Sequence, residues 1–202
     1  MPISAVKLRR DAENAKADLG LRAEVVAELL ANHPGERELQ LSPAVIAVLA
    51  DRTSPQTALL AALKVASEAR APALSVALSK LGPEPPPSIH VTRAYAELGR
   101  TEAATDSLHH ELRWLAGQAN LDTTVQSAFG THILEVTALL GLPAARTWAL
   151  TVVHEDKAHF DLLRQCIRVA RIPEALARHR KLVHAVLDEA WLSYWRAQGI
   201  ES

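Results

Sequence analysis

The sequence predicts an all-α fold: an up-and-down C-terminal helical bundle with shorter N-terminal helices. Three observations lead there. Of the 202 residues, 49% are hydrophobic, and Ala and Leu dominate, which lose little side-chain freedom in a helix. Apolar residues recur at spacings of three and four, the helical period. Runs of β-branched residues in strict alternation, the mark of half-buried strands, are almost absent.

The elements follow from the punctuation. "NHPGERE" (Asn32 to Glu38) and "DRTSP" (Asp51 to Pro55) each break a helical pattern. Ser42 before Pro43, and Ser54 before Pro55, combine a capping hydroxyl with proline at the first helical position. Val45 with Leu49, then Leu59, Leu60 and Leu63, suit two short helices. "GPEPPPS" (Gly82 to Ser88) is the strongest break, since consecutive prolines forbid helix continuation. It separates an N-terminal part, residues 1–82, from a C-terminal bundle over 92–202. Pro72, Gly141 with Pro143, and Pro173 mark shorter joints. The bundle is expected to hold four helices, over about 92–118, 121–140, 143–171 and 174–198.

Each carries an apolar stripe: Ala104, Leu108, Leu112 and Leu115 on the first helix, and three more on the others. Val125, Phe129, Ile133, Val136 and Leu140 form the first of these three. Trp148 or Ala149, Val152, Asp156, His159, Leu163 and Cys166 form the second, and Leu176, His179, Val183, Val186, Ala190 and Tyr194 the third. No internal repeat recurs at a fixed period.

Charge and composition narrow the function. A formal net charge of −1 supplies no global field toward nucleic acid or anionic lipid, although "KLRR" (Lys7 to Arg10) leaves a local basic patch. Cys166 is the single cysteine, which excludes internal disulfides and cysteine-cluster zinc sites and reads as a small core residue. "MPISAVKLRRDAENAK" shows no signal pattern, and no apolar stretch of about 18 residues occurs, so a cytoplasmic protein with no membrane span is expected. Glycine-rich phosphate loops, the Gly-x-Ser-x-Gly elbow and the His-Glu-x-x-His motif are absent. Arginines 164, 168, 171, 178 and 180 fit a solvated helix face or, as the alternative, a site for an anionic partner. "WLSYWRAQ" (Trp191 to Gln198) fits a docking surface or core packing equally.

The histidines are the chemical signal. Seven of nine lie between positions 109 and 184. Asp106 with His110, His132 with Glu135, Asp156 (or Glu155) with His159, and His184 with Asp188 each share a helix face. Bundles build iron, manganese or zinc centres from such inward-facing residues. Asp156 and His159 stand where apolar residues belong in a stripe, as His179 does on the next helix. A buried ionised Asp needs a counter-charge, a hydrogen-bond network or a metal. His154 and Glu155 are expected to face solvent; His109 and Glu111 compete for one inward position. The candidate ligand set is Asp106, His110, Asp156, His159 and His179, for Fe, Mn, Zn or Ni. The purely structural reading, a histidine bonded to a neighbour, stands beside it.

"DSLHHELRWLAGQANL" (Asp106 to Leu121) resembles the Asp-x-x-Phe-His segment of the ligand-binding domain of FadR-type GntR regulators. "HFDLLRQCIRVARIPEALARHR" (His159 to Arg180) is similar to the histidine-led stretch that follows it in that domain. The resemblance implies metal-ligand roles for Asp106, His110 and His159. Lys181 falls near the place of the final family histidine, between His179 and His184. "PGERELQLS" and "RTSPQTALLAAL" resemble the Pro-Gly-Glu turn and the recognition helix of its winged helix-turn-helix, the latter with a residue inserted. That likeness would set Gln56 and Thr57 against DNA bases. Three functions are therefore expected in competition: a metal- or small-ligand-binding bundle, a ligand-responsive DNA-binding regulator, and a non-catalytic adaptor or assembly subunit. A small molecule or protein partner is expected, with a homo-oligomer.

Overall fold

The computed structural model describes residues 4–14, 16–32, 43–65, 67–86 and 88–199. It is all-α, with eleven helices and no strand among the described residues. The chain divides into two compact units, residues 1–86 and 87–202. No helix among the described residues is long and apolar enough to cross a membrane.

The first unit holds α1 (Ala5–Glu13), α2 (Leu19–Asn32), α3 (Pro43–Arg52), α4 (Pro55–Ala62) and α5 (Ser67–Leu81). Ser4 caps α1, and the Asp18 carboxylate accepts the Gly20 amide at 2.8 Å at the start of α2. Ser54 caps α4 with Pro55 at its first turn, as the sequence leads one to expect. Small residues let the helices approach closely: Ala23, Ala58, Ala61, Ala73 and Ala77 are fully buried beside Val26, Leu29, Ile46, Leu49, Leu59 and Leu74. Pro72 marks no joint; it lies inside α5. Near the helix start its missing N–H forfeits one intrahelical bond, while Ala73, Leu74, Ala77 and Leu78 hold the helix by burial. The "NHPGERE" break beyond Asn32, the Ser42 cap and the "PGERELQLS" segment lie outside the described residues.

The second unit holds α6 (Ile89–Glu97), α7 (Thr101–Ala116), α8 (Thr123–Leu140), α9 (Leu142–Glu155), α10 (Lys157–Val169) and α11 (Glu174–Ala197). Two expected helices are each divided. The segment 92–118 turns at Gly99, whose φ of 66° is a left-handed conformation that favours glycine. The segment 143–171 breaks at Asp156, in extended backbone with its carboxylate accepting the Ala158 amide at 2.7 Å. Asp is a strong helix N-cap, so a local hydrogen bond wins over stripe continuity.

α8 is central, packing on α6, α7, α9, α10 and α11. Its closest approach is to α10, at Gly130: a Cβ built there would lie 2.0 Å from the Cys166 carbonyl oxygen. Leu108, Leu112, Ile133, Leu134, Phe160 and Leu163 fill the core around this crossing. Cys166 is fully buried, and burial pushes its thiol up to about 11, which suits an inert core residue. Trp191 stacks on Phe160 with centroids 5.7 Å apart, so the terminal aromatics pack back onto the bundle. Arg180 donates to the Ala170 and Arg168 carbonyls, closing the C-terminal end of α10.

Candidate functional site

Three helices of the second unit bring polar side chains into an apolar neighbourhood. Thr92 on α6 is wholly buried; Ser107 and Glu111 on α7, and His132 on α8, are each 8% exposed. Ser107 and Glu111 are one turn apart, so both face α6. Thr92 Oγ1 bonds to the Glu111 carboxylate and lies 2.6 Å from Ser107 Oγ. An ionised carboxylate only accepts, so Thr92 then donates to Glu111 and receives the Ser107 hydroxyl proton.

The other carboxylate oxygen, Glu111 Oε2, lies 3.4 Å from His132 Nε2. That contact is at ion-pair distance but not in hydrogen-bond geometry, and His132 Nε2 is buried with no hydrogen-bond partner among the described residues. No Lys or Arg among the described residues comes within ion-pair distance of Glu111. His90 stands nearby at the start of α6. Burial lowers its pKa, the His132 and Arg93 charges act the same way, and Glu111 opposes them.

Glu111 and His132 line a cleft of about 420 Å³ between α6, α7 and α8. Its walls are mostly apolar, with Leu115 and Phe129 toward the core. Ile89, Trp114 and Val125 stand at its exposed end, 48%, 67% and 45% accessible. An apolar concavity with a few convergent polar groups is the usual form of a small-molecule site.

A second polar cluster joins α7 to the α9–α10 break. His109 Nε2 lies 2.9 Å from Glu155 Oε2, and Arg113 pairs with the other Glu155 oxygen. Burial lowers the pKa of His109 more than Glu155 raises it, with Arg113, His159 and His110 adding to the lowering. Arg113 and Glu155 balance one another's charge and tie α7 to the α9–α10 break, while His109 Nε2, like His132 Nε2, makes no hydrogen bond among the described residues. A third polar surface, between α10 and α11, carries Arg164 and Asp188 paired at 3.1 Å.

The five residues expected as metal ligands do not converge. Asp106 and His110 are exposed, and His110 Nδ1 is 2.9 Å from the Asp106 backbone carbonyl, not its carboxylate. Asp156 is a half-exposed helix cap, so its expected inward position is corrected; His159 is mostly buried, 3.8 Å from it. His179 pairs with Thr137 Oγ1 at 3.0 Å across α8 and α11, and burial lowers its pKa. Among the described residues no group of three or more His, Cys, Asp or Glu is placed to hold a metal ion. The cause is the break at Asp156, which ends the stripe expected to carry Asp156 and His159 into one interior.

His154 and Glu155 are exposed, as expected. His132 is buried instead of edging its stripe, and its partner is Glu111, while Glu135 pairs with Arg93 at 3.5 Å. The competition between His109 and Glu111 for one inward position resolves with both buried, each in a different cluster. In the first unit Gln56 is exposed, and the Thr57 hydroxyl is 2.8 Å from Ser54 Oγ within the α4 cap. Thr92 carries no signal in the sequence beyond its place on α6. Compared with protein-family models, curated proteins and solved structures, the chain matches none.

Proposed function

We propose that the second unit is a small-molecule-binding helical bundle and that its ligand enters the cleft between α6, α7 and α8. The observation that carries this reading is the buried Glu111–His132 pair at the inner end of an otherwise apolar cavity, with His132 Nε2 unbonded. Leaving a buried polar group without a partner costs about 1–3 kcal/mol. Apolar residues would fill the same space without that penalty. The pair therefore makes sense as one half of a set of hydrogen bonds that a ligand completes. The volume falls within the range of about 300–1,000 Å³ typical of sites that enclose such ligands.

Ala128 lines the same cleft and is exposed, so Ala128→Trp fills the cavity without disturbing the core. Calorimetric titration with a neutral aromatic probe, 2-(1-naphthyl)ethanol, is expected to saturate at one site. Ala128→Trp should abolish that binding while leaving the melting temperature within about 2 °C, as surface changes do. Equal binding by the two proteins, or no binding by the parent of either the alcohol or its amine counterpart, would remove the reading.

A further inference from the structure

We infer that the cleft selects an organic cation: an amine with an aromatic or aliphatic body, its ammonium group seated between Glu111 and His132. The inference rests on the cleft being a binding site and adds the chemical class of what it binds.

The argument starts from the charges. Glu111 is buried, and among the described residues no Lys or Arg neutralises it. Thr92 occupies one carboxylate oxygen. A carboxylate has about four acceptor positions, so Oε2 retains capacity beside the cavity. His132 Nε2 has no hydrogen bond at all. These two atoms are 3.4 Å apart, a separation that one nitrogen with two N–H groups spans, bonding both at ordinary lengths of about 2.8–3.0 Å. A bound ammonium would supply a positive charge for Glu111 and a donor for His132 together, the imidazole then accepting at Nε2.

The walls agree with this. Phe129, whose ring centroid lies 6.3 Å from that of His132, adds an aromatic ring beside the pair, and aromatic faces attract cations within about 6 Å. Leu115 and Val125 accommodate a hydrocarbon body. An anion would meet the Glu111 carboxylate at low dielectric, where like charges repel strongly. A neutral alcohol fits the space but leaves the carboxylate without a counter-charge. Burial also disfavours charge on His90, which interacts with both Glu111 and His132, so it is a weak competing cation at neutral pH.

The test is a matched ligand series on the full chain at about pH 8, above the ordinary imidazole range and below that of an amine. The probes are 2-(1-naphthyl)ethylamine, 2-(1-naphthyl)ethanol and 1-naphthylacetate, measured by calorimetry. The amine is expected to bind about tenfold or more tighter than the alcohol, as a charge-assisted hydrogen bond would give, with the carboxylate weakest. Glu111→Gln should remove the amine's advantage over the alcohol; Glu111→Asp should retain part of the preference. The parent protein's ranking decides the matter even where Glu111→Gln fails to fold. If the alcohol or the carboxylate binds as tightly as the amine, the cation inference is overturned while the binding site stands. If none of the three binds, the site reading falls and this inference with it.

Discussion

Gly130 shows how much one missing methyl group decides. The α8 and α10 backbones meet there, and an added Cβ would lie 2.0 Å from the Cys166 carbonyl oxygen and 3.1 Å from Ala170 Cβ. Backbone cannot swing aside as a flexible side chain can, so Gly130→Ala must push two core helices apart. Helix propensity favours Ala over Gly by about 1 kcal/mol, and the clash overrides that gain. Overpacking of this kind destabilises by about 1–3 kcal/mol or more. Thermal denaturation should show Gly130→Ala melting several degrees below the parent; an equal or higher melting temperature would mean that α8 and α10 do not cross this closely. The cleft residues teach a related lesson. Glu111 was visible in the sequence only as a competitor of His109 for one inward position, and Thr92 not at all. Pairing across helices decides burial here, and a single-helix stripe holds no information about what a neighbouring helix offers.

At the scale of the element, helix existence was legible and helix continuity was not. Residues 121–140 and 174–198 read as single helices, and α8 and α11 occupy Thr123–Leu140 and Glu174–Ala197. Their apolar stripes run through, interrupted only by His179 in the second, and their ends carry Asp122, Gly141 and Pro173, all strong boundary residues. The segment 143–171 keeps helical spacing through Asp156 and His159 to Leu163 and Cys166, which hid the break. A cap differs from a buried acid only in whether the amide two residues on is free to bond, and spacing does not record that. Asp156 is thus read as a capping residue with a definite cost. Asp156→Ala should lower stability by about 1 kcal/mol and Asp156→Asn by much less, since Asn caps nearly as well. Chemical denaturation of the three proteins checks this. A large loss in Asp156→Asn would instead point to a need for the charge.

At the scale of the whole molecule, the imidazoles set a pH dependence. His90, His109, His179 and His184 all have pKa values lowered from the ordinary 6.5, in each case chiefly by burial. His109 also faces Glu155, Arg113, His159 and His110, and His184 faces Arg180, Asp188 and Arg164. The sign follows from proton counting. The unfolded chain binds protons at these sites as pH falls through about 6.5, while the folded chain resists until lower pH. Between those limits the unfolded state holds more protons, so acidification favours unfolding. The contribution of these groups is fully present above pH 6.5 and is lost as pH falls toward their folded values. His90, His179 and His184 keep partial solvent access, so each contributes modestly, and His109, at 8% exposed, is the best single probe. Melting temperature measured across pH 8 to 5 should be level at first and then decline below about 6.5. His109→Gln should shallow that decline, because one site that must shed its proton to fold is gone. A melting temperature that rises on acidification through this range would mean that the histidines gain charge partners in the folded chain, and the Glu155 pairing would then outweigh burial at His109.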